Sequence, residues 1–145
     1  MAFRRILVPV DFSQHSRTTL EKAVELVSAL GAELHVMHAA EVLTYRGVRY
    51  TEILTPDAMK GEREAVAAKL EEWHREIVGD GVPSESHLVE GDPRDAIPRL
   101  AREIEADLIM MGSHGHGRLH RALIGSVAEH TLREADCAVL VIREQ

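Results

Sequence analysis

A glycine-bearing loop between an apolar segment and a helical segment carries the clearest chemical signal in this chain of 145 residues. Gly112, Gly115 and Gly125, with Ser126 after the last, form the pattern Gly-x2-Gly-x9-Gly-Ser. A loop that leads into a helix N-terminus attracts anions, because the N–H groups of the first turn have no partner within the helix and the helix dipole is positive there. Glycine also lets the backbone approach a phosphate closely and adopt a positive φ. The pattern predicts a phosphate-binding loop; a plain surface connection is the alternative.

Asp11, at the end of the first apolar run, is the candidate for a ribose hydroxyl or a Mg²⁺ ion. Its alternative role is to cap the following helix, but Ser13 is better placed for that, which leaves Asp11 available for a ligand. Ser126 can bind phosphate through its hydroxyl or cap its own helix, and capping is the more common use of such a serine.

Three histidines of the loop raise a separate hypothesis, a metal-binding or proton-sensing module. His114, His116 and His120 have the spacing His-x-His-x3-His, but no cysteine is near them and structural zinc needs four ligands. Arg118 and Arg121, together with His120, fit better as a positive rim over bound phosphates. A solvated loop is the alternative for all of them.

Several enzyme signatures are missing from the sequence. Val127 follows Gly125-Ser126 where a Walker A loop needs a lysine, and no Gly-x-Ser-x-Gly elbow is present. The sequence also supplies no obvious base for phosphoryl transfer, so efficient catalysis is not indicated. A slow nucleotide hydrolase that uses the same pocket stays open as an alternative to a nucleotide-binding protein.

Composition narrows the protein class. The net charge of −7 argues against a nucleic-acid or membrane-surface binder, and no apolar run is long enough to span a membrane. Cys137 is the single cysteine, which excludes an internal disulfide and suits a reducing compartment; its apolar neighbours predict an unreactive core thiol. The N-terminus shows no signal peptide, so we expect a cytoplasmic protein.

Apolar runs and helical periodicities alternate along the chain. The predicted strands cover residues 6–10, 33–38, 86–90, 107–111 and 138–142. The predicted helices cover residues 14–30 and 57–78, a segment opened by Asp92-Pro93, and residues 126–135, while 41–55 forms a loop or lid. Pro98 should kink the third helix or delay its start. The order predicts one doubly wound α/β domain over residues 1–145, with a five-stranded parallel sheet and four helices on both faces.

The glycine pattern resembles the nucleotide-binding signature of the universal stress protein family. The likeness covers nearly the whole chain, from Arg5-Ile-Leu-Val-Pro-Val-Asp11 through Ala106–Gly115 to Val139–Arg143. It implies the strand order 3-2-1-4-5 and binding of ATP or a related adenine nucleotide. It also implies a regulatory role tied to stress and starvation, and, as in many members, a homodimer.

The resemblance places the nucleotide site residue by residue. Main-chain N–H groups of Gly115, Ser126 and Val127 would contact the phosphates or the ribose. The full set of implied contact residues is Pro9, Val10, Asp11, Met37, Met111, Gly112, His114, Gly115, Gly125, Ser126 and Val127. For Pro9, Val10 and Met37, which would line the adenine and ribose pocket, plain core packing is the alternative. The family often has arginine at position 116 and glycine at 118; His116 and Arg118 leave open which side chain reaches the terminal phosphate.

The leading hypothesis is a regulator that binds ATP with Mg²⁺ and signals to a protein partner through residues 41–55 or a dimer surface. Residues 138–142 form an unbroken apolar run at the predicted sheet edge, and such edges need cover. We expect the same strand of a second copy to pair with it across a two-fold axis. Cover by the chain's own loop, such as 41–55, is the alternative.

Overall fold

The computed structural model describes residues 2–40, 56–114 and 123–143, with backbone alone at 56, 58 and 59. The predictions for residues 41–55 and for Gly115, His116, Arg118, His120 and Arg121 therefore lie outside the described residues. The strands are β1 (Arg5–Pro9), β2 (Glu33–Ala40), β3 (Ser84–Glu90), β4 (Leu108–Gly112) and β5 (Ala138–Ile142). The helices are α1 (Gln14–Leu30), α2 (Pro56–Trp73, followed by a π-helical turn, His74–Val78), α3 (Pro93–Glu103) and α4 (Ser126–Glu134).

The five strands form one parallel sheet in the order β3-β2-β1-β4-β5, which confirms the predicted fold and strand order. The chain moves outward from β1 through β2 to β3, then crosses back to β4 on the other side of β1. This reversal between β1 and β4 is where doubly wound folds open a crevice beyond the carboxyl ends of the strands. Pairing with β2 extends β3 two residues upstream of its predicted start, to Ser84.

The central strand is buried on both faces, since Ile6, Leu7 and Val8 have no exposed surface. Apolar side chains of α1 and α2 cover one face, and those of α3 and α4 cover the other. Cys137 packs at the edge of the second cluster, where burial raises the pKa of its thiol, in keeping with the predicted unreactive thiol. No helix within the described residues is both long and apolar enough to cross a membrane.

Local capping chemistry sets the helix limits. The Ser13 hydroxyl accepts a hydrogen bond from the Ser16 N–H at 3.1 Å, and Gly31 ends α1 with a φ of 64°. Asp92 caps α3 and Pro93 begins it, so the prediction that Pro98 delays this helix is wrong. The Asp92 cap starts the helix upstream of Pro98. The helix then continues past Pro98, which has no N–H to donate, because the apolar face of α3, including Pro98 itself, is buried.

Candidate functional site

A cavity of about 520 Å³ opens at the carboxyl ends of β1, β2 and β4, at the point where the strand order reverses. Its volume is in the range of small-molecule sites, about 300–1,000 Å³. Every predicted site residue that the structure describes lines this cavity: Pro9, Val10, Asp11, Met37, Met111, Gly112, His114, Gly125, Ser126 and Val127. The fold thus brings together segments more than one hundred residues apart, and their contact with a nucleotide stays a prediction.

Much of the cavity wall is apolar. Val10 follows β1, and Met37 and Met111 lie in the neighbouring strands β2 and β4; all three are buried, and Ile97 adds the buried face of α3. These residues pack in the core and line the cavity at the same time, so the two alternatives posed for Val10 and Met37 do not exclude each other. Such a wall suits the flat face of an aromatic ring better than a charged group.

Asp11 is held by the turn that begins α1. Its Oδ1 accepts hydrogen bonds from the Ser13 N–H at 3.0 Å and from the Ser13 hydroxyl at 2.5 Å. The prediction that Ser13 rather than Asp11 caps α1 is confirmed, and the same serine also donates to the Asp11 carboxylate. These two bonds orient the carboxylate relative to the start of α1.

Phe12 adopts a left-handed backbone conformation, with a φ of 65°, between Asp11 and the helix cap. This conformation is costly for a bulky residue and recurs at functional turns. Aromatic packing holds it: the Phe12 ring centroid lies 4.5 Å from that of His38 and 5.1 Å from that of Trp73. His38 also lines the cavity, with Nδ1 2.7 Å from the Val10 carbonyl oxygen. Sequence reasoning missed both residues, because no local pattern signals this packing.

At the two described glycine positions of the motif, 112 and 125, the backbone does not have the positive φ that would require glycine. Gly112 does not take one, and Gly125 has φ −69° and ψ 160°, nearly the −73° and 161° of Ser13. Close packing, rather than a positive φ, is the physical reason for glycine at these two positions. A Cβ on Gly112 would lie 2.6 Å from the His15 ring, and one on Gly125 would lie 3.0 Å from the Ser113 carbonyl oxygen.

The N-terminus of α4 opens into the cavity without a side-chain cap. Gly125 is the capping residue and Ser126 is the first residue of the helix, so the expected capping role of Ser126 is wrong. Ser126, Val127 and Ala128 all line the cavity, and their N–H groups fall in the first turn, where the helix offers no acceptor. The first turns of α1 and α3 differ, because Ser13 and Asp92 fill the same position with a side-chain oxygen.

His114 adds a buried polar group to the cavity. The residue is 7% exposed, and its Nδ1 lies 3.0 Å from the Ser113 hydroxyl. Within the described part of the chain, His114 Nε2 is buried and has no hydrogen-bond partner. Buried polar atoms are nearly always hydrogen-bonded, so this nitrogen is a candidate contact for a ligand.

The described lining carries the Asp11 carboxylate and neither lysine nor arginine. Any positive potential that these residues supply must therefore come from the backbone N–H groups of α4 and from the histidines. An anion at the helix terminus and a cation beside Asp11 are the two charged species that this arrangement can hold.

Comparisons with known proteins agree with this geometry. Residues 2–143 match the model of the Universal stress protein family. The universal stress protein MJ0531 of Methanocaldococcus jannaschii is 30% identical, over 98% of this chain and 83% of its own. The solved structure of the hypothetical protein MJ0577 has a TM-score of 0.84 at 26% identity and covers 100% of this chain and 99% of that one. The structure of an Archaeoglobus fulgidus universal stress protein in complex with dAMP has a TM-score of 0.64 at 25% identity, covering 99% of this chain and 100% of that one.

Proposed function

This chain belongs to the universal stress protein family, and we propose that its cavity binds an adenine nucleotide, with ATP and Mg²⁺ as the bound pair. The observation that carries the proposal is the uncapped N-terminus of α4, which opens into a cavity of nucleotide size. The relative from Archaeoglobus fulgidus, whose structure holds dAMP, supports an adenine nucleotide as the ligand class.

The phosphates belong at α4. Three consecutive N–H groups, from Ser126 to Ala128, point from the first turn of a helix whose cap has no side chain to compete for them. A phosphate there gains charge-assisted hydrogen bonds and the favourable end of the helix dipole. His114 Nε2 supplies a further polar contact on the same side of the cavity.

The adenine ring belongs against the apolar wall of Val10, Met37 and Ile97. The ring would cover buried side chains at the strand ends, and burial of apolar area contributes about 25 cal/mol per Å². The wall gives affinity without distinguishing one purine from another, so selection of adenine requires polar contacts in addition.

Asp11 serves the ribose or the metal. Mg²⁺ is typically held by one or two carboxylates together with substrate phosphates, and Asp11 is the carboxylate among the described lining residues. Its hydrogen bonds with Ser13 fix the carboxylate in one orientation before a ligand arrives. When bound, the ion would neutralise phosphate charge beside this carboxylate.

We further propose that the protein is a cytoplasmic stress-response regulator whose nucleotide occupancy is passed to a partner or across a dimer surface. β5 is the edge strand of the described sheet, and Leu140 at its centre is 40% exposed. An apolar edge of this kind favours pairing with the same strand of a second copy. The pairing would join two nucleotide sites into one assembly.

Titration calorimetry with ATP, ADP and AMP tests the proposal, in Mg²⁺ and in EDTA, with GTP as the comparison ligand. We expect saturable binding of adenine nucleotides at one site per chain, with a stronger effect of Mg²⁺ on ATP than on AMP. ATP should stay intact after prolonged incubation with stoichiometric protein; rapid release of phosphate would instead favour a hydrolase. Absence of binding by all three nucleotides at millimolar concentration would contradict the proposal.

A further inference from the structure

A cluster of acidic and imidazole side chains lies on the sheet away from the nucleotide cavity. It is built from two Glu-x-His segments, Glu33-Leu-His35 at the start of β2 and Glu85-Ser-His87 near the start of β3. Because side chains alternate between sheet faces with period two, each glutamate lies on the same face as its histidine. The parallel register places Glu85 beside His35, so all four side chains share the face that α3 and α4 cover.

The cluster lies toward the amino ends of the strands, whereas the nucleotide cavity opens at their carboxyl ends. His35 is the third residue of β2, and none of the four side chains lines that cavity. Glu103, at the end of α3, is a further charge that acts on His87. The cluster therefore needs an explanation separate from nucleotide binding.

The ligand atoms in this cluster converge on one point. His35 Nδ1 lies 2.9 Å from His87 Nε2, and one ligand atom from each of His35, Glu85 and His87 lies within 4.8 Å of the other two. Two imidazole nitrogens on a tetrahedral zinc ion, each about 2.0–2.1 Å from the metal, lie about 3.3 Å apart. To bind an ion, the two nitrogens must move apart by a few tenths of an ångström, and the rings must turn so that both lone pairs face the ion.

Glu33 orients the buried histidine for this role. Its Oε1 lies 2.7 Å from His35 Nε2, and His35 is only 4% exposed. A carboxylate that accepts the Nε2 proton leaves the lone pair on Nδ1, which is the nitrogen that faces His87. Histidines that ligate metals commonly donate their other ring N–H to a carboxylate in this way.

Without a metal, and with His35 in this tautomer, His87 Nε2 donates the hydrogen bond that His35 Nδ1 accepts. When an ion binds to both nitrogens, the proton on His87 Nε2 moves to His87 Nδ1. The His87 ring stays neutral with one proton, so no proton is gained or released by the protein. Burial lowers the pKa of His87, which favours the neutral ring that metal binding needs.

We propose that His35, His87 and Glu85 bind a divalent transition-metal ion, with Zn²⁺ as the best-fitting ion and Glu33 as the positioning residue. Two imidazoles and one carboxylate favour Zn²⁺ and its neighbours over Mg²⁺ and Ca²⁺, which prefer oxygen ligands. Water takes the fourth position. The ion would join edge strand β3 to β2, which makes the stability of that edge depend on metal.

Zinc titration of the purified full-length chain, in competition with a chromophoric chelator, tests this site. His87 is half-buried and Glu85 is exposed, so His87→Gln and Glu85→Gln remove ligands with little cost to the core. His130→Gln, on α4 and away from the cluster, is the matched control. We expect one Zn²⁺ per chain at this site, a loss of at least tenfold in affinity for each ligand variant, and no change for the control. Glu33→Gln should weaken binding about tenfold, in the range found for carboxylates that hydrogen-bond to metal-ligating histidines.

Two further readouts separate this site from the loop histidines and from nucleotide binding. The visible spectrum of the Co²⁺-loaded protein should show tetrahedral coordination that His87→Gln abolishes. Zn²⁺ should raise the unfolding temperature of the wild type and of His130→Gln, but not that of His87→Gln or Glu85→Gln. AMP affinity should be equal in the wild type and in His87→Gln. Wild-type zinc affinity in both His87→Gln and Glu85→Gln, or absence of zinc binding at micromolar concentration, would overturn the proposal.

Discussion

The uncapped start of α4 leads to a prediction in which stability and ligand affinity change in opposite directions. Gly125 has the backbone conformation of a capping residue, with φ −69° and ψ 160°. Asp92 in the same position of α3, with φ −68° and ψ 128°, accepts a hydrogen bond from the Arg94 N–H at 2.9 Å. Gly125→Asp should therefore cap α4 through the N–H of Val127, one of the groups proposed to bind phosphate. Gly125→Ala is the matched control, since both variants add the Cβ that lies 3.0 Å from the Ser113 carbonyl oxygen.

The cost of that tight contact cancels when the two variants are compared with each other. An aspartate cap is more stable than an alanine at the same position by about 1 kcal/mol, with a range of about 0.5–2. A hydrogen bond to a charged group contributes about 1.5–3 kcal/mol, so loss of one phosphate contact weakens binding about 10- to 150-fold. The negative charge at the helix terminus adds repulsion to this loss.

Urea unfolding and AMP calorimetry on both variants provide the test. We expect Gly125→Asp to unfold at a higher urea concentration than Gly125→Ala and to bind AMP at least tenfold more weakly. Equal AMP affinity in the two variants, together with the expected gain in stability, would refute phosphate binding at α4, because the cap would then be filled without loss to the ligand.

Three further predictions concern other parts of the molecule. Asp11→Asn should weaken ATP binding more in Mg²⁺ than in EDTA; equal losses would assign Asp11 to the ribose, and no loss in either would remove it from the site. Asp92→Ala should destabilise the fold by about 1 kcal/mol at pH 7 in urea unfolding. Because the hydrogen bond from Arg94 lowers the pKa of Asp92, that difference should persist down to about pH 4 and shrink as the pH falls further; a difference independent of pH would contradict this origin. Leu140→Lys should shift the protein toward monomer in sedimentation equilibrium, whereas Leu30→Lys, which is also 40% exposed, should not; a monomeric wild type at high micromolar concentration would contradict the dimer.

The sequence was sufficient wherever structure depends on near neighbours. Ser13 as the cap of the first helix and Asp92-Pro93 as the start of the third are both confirmed, because capping involves residues within one turn. Alternating apolar runs and helical periodicities are also local patterns, and their order along the chain predicted the parallel sheet. The strand order came with the family resemblance, and the sheet confirms it. Pro98 shows the limit of local rules, since burial of the helix face outweighed the missing N–H.

Tertiary packing decided the chemistry of individual residues. Gly112 was identified by its place in a motif, but its need for glycine comes from the His15 ring, which approaches from a segment nearly one hundred residues away. The left-handed turn at Phe12 depends on Trp73 in the same way. His35 and His87 are 52 residues apart and meet only through the register of β2 with β3. Side-chain distances across a sheet are set by strand pairing, and pairing depends on contacts that sequence neighbours do not share. The sequence therefore predicted which residue types could bind a nucleotide, whereas the fold determined which of their atoms face the cavity.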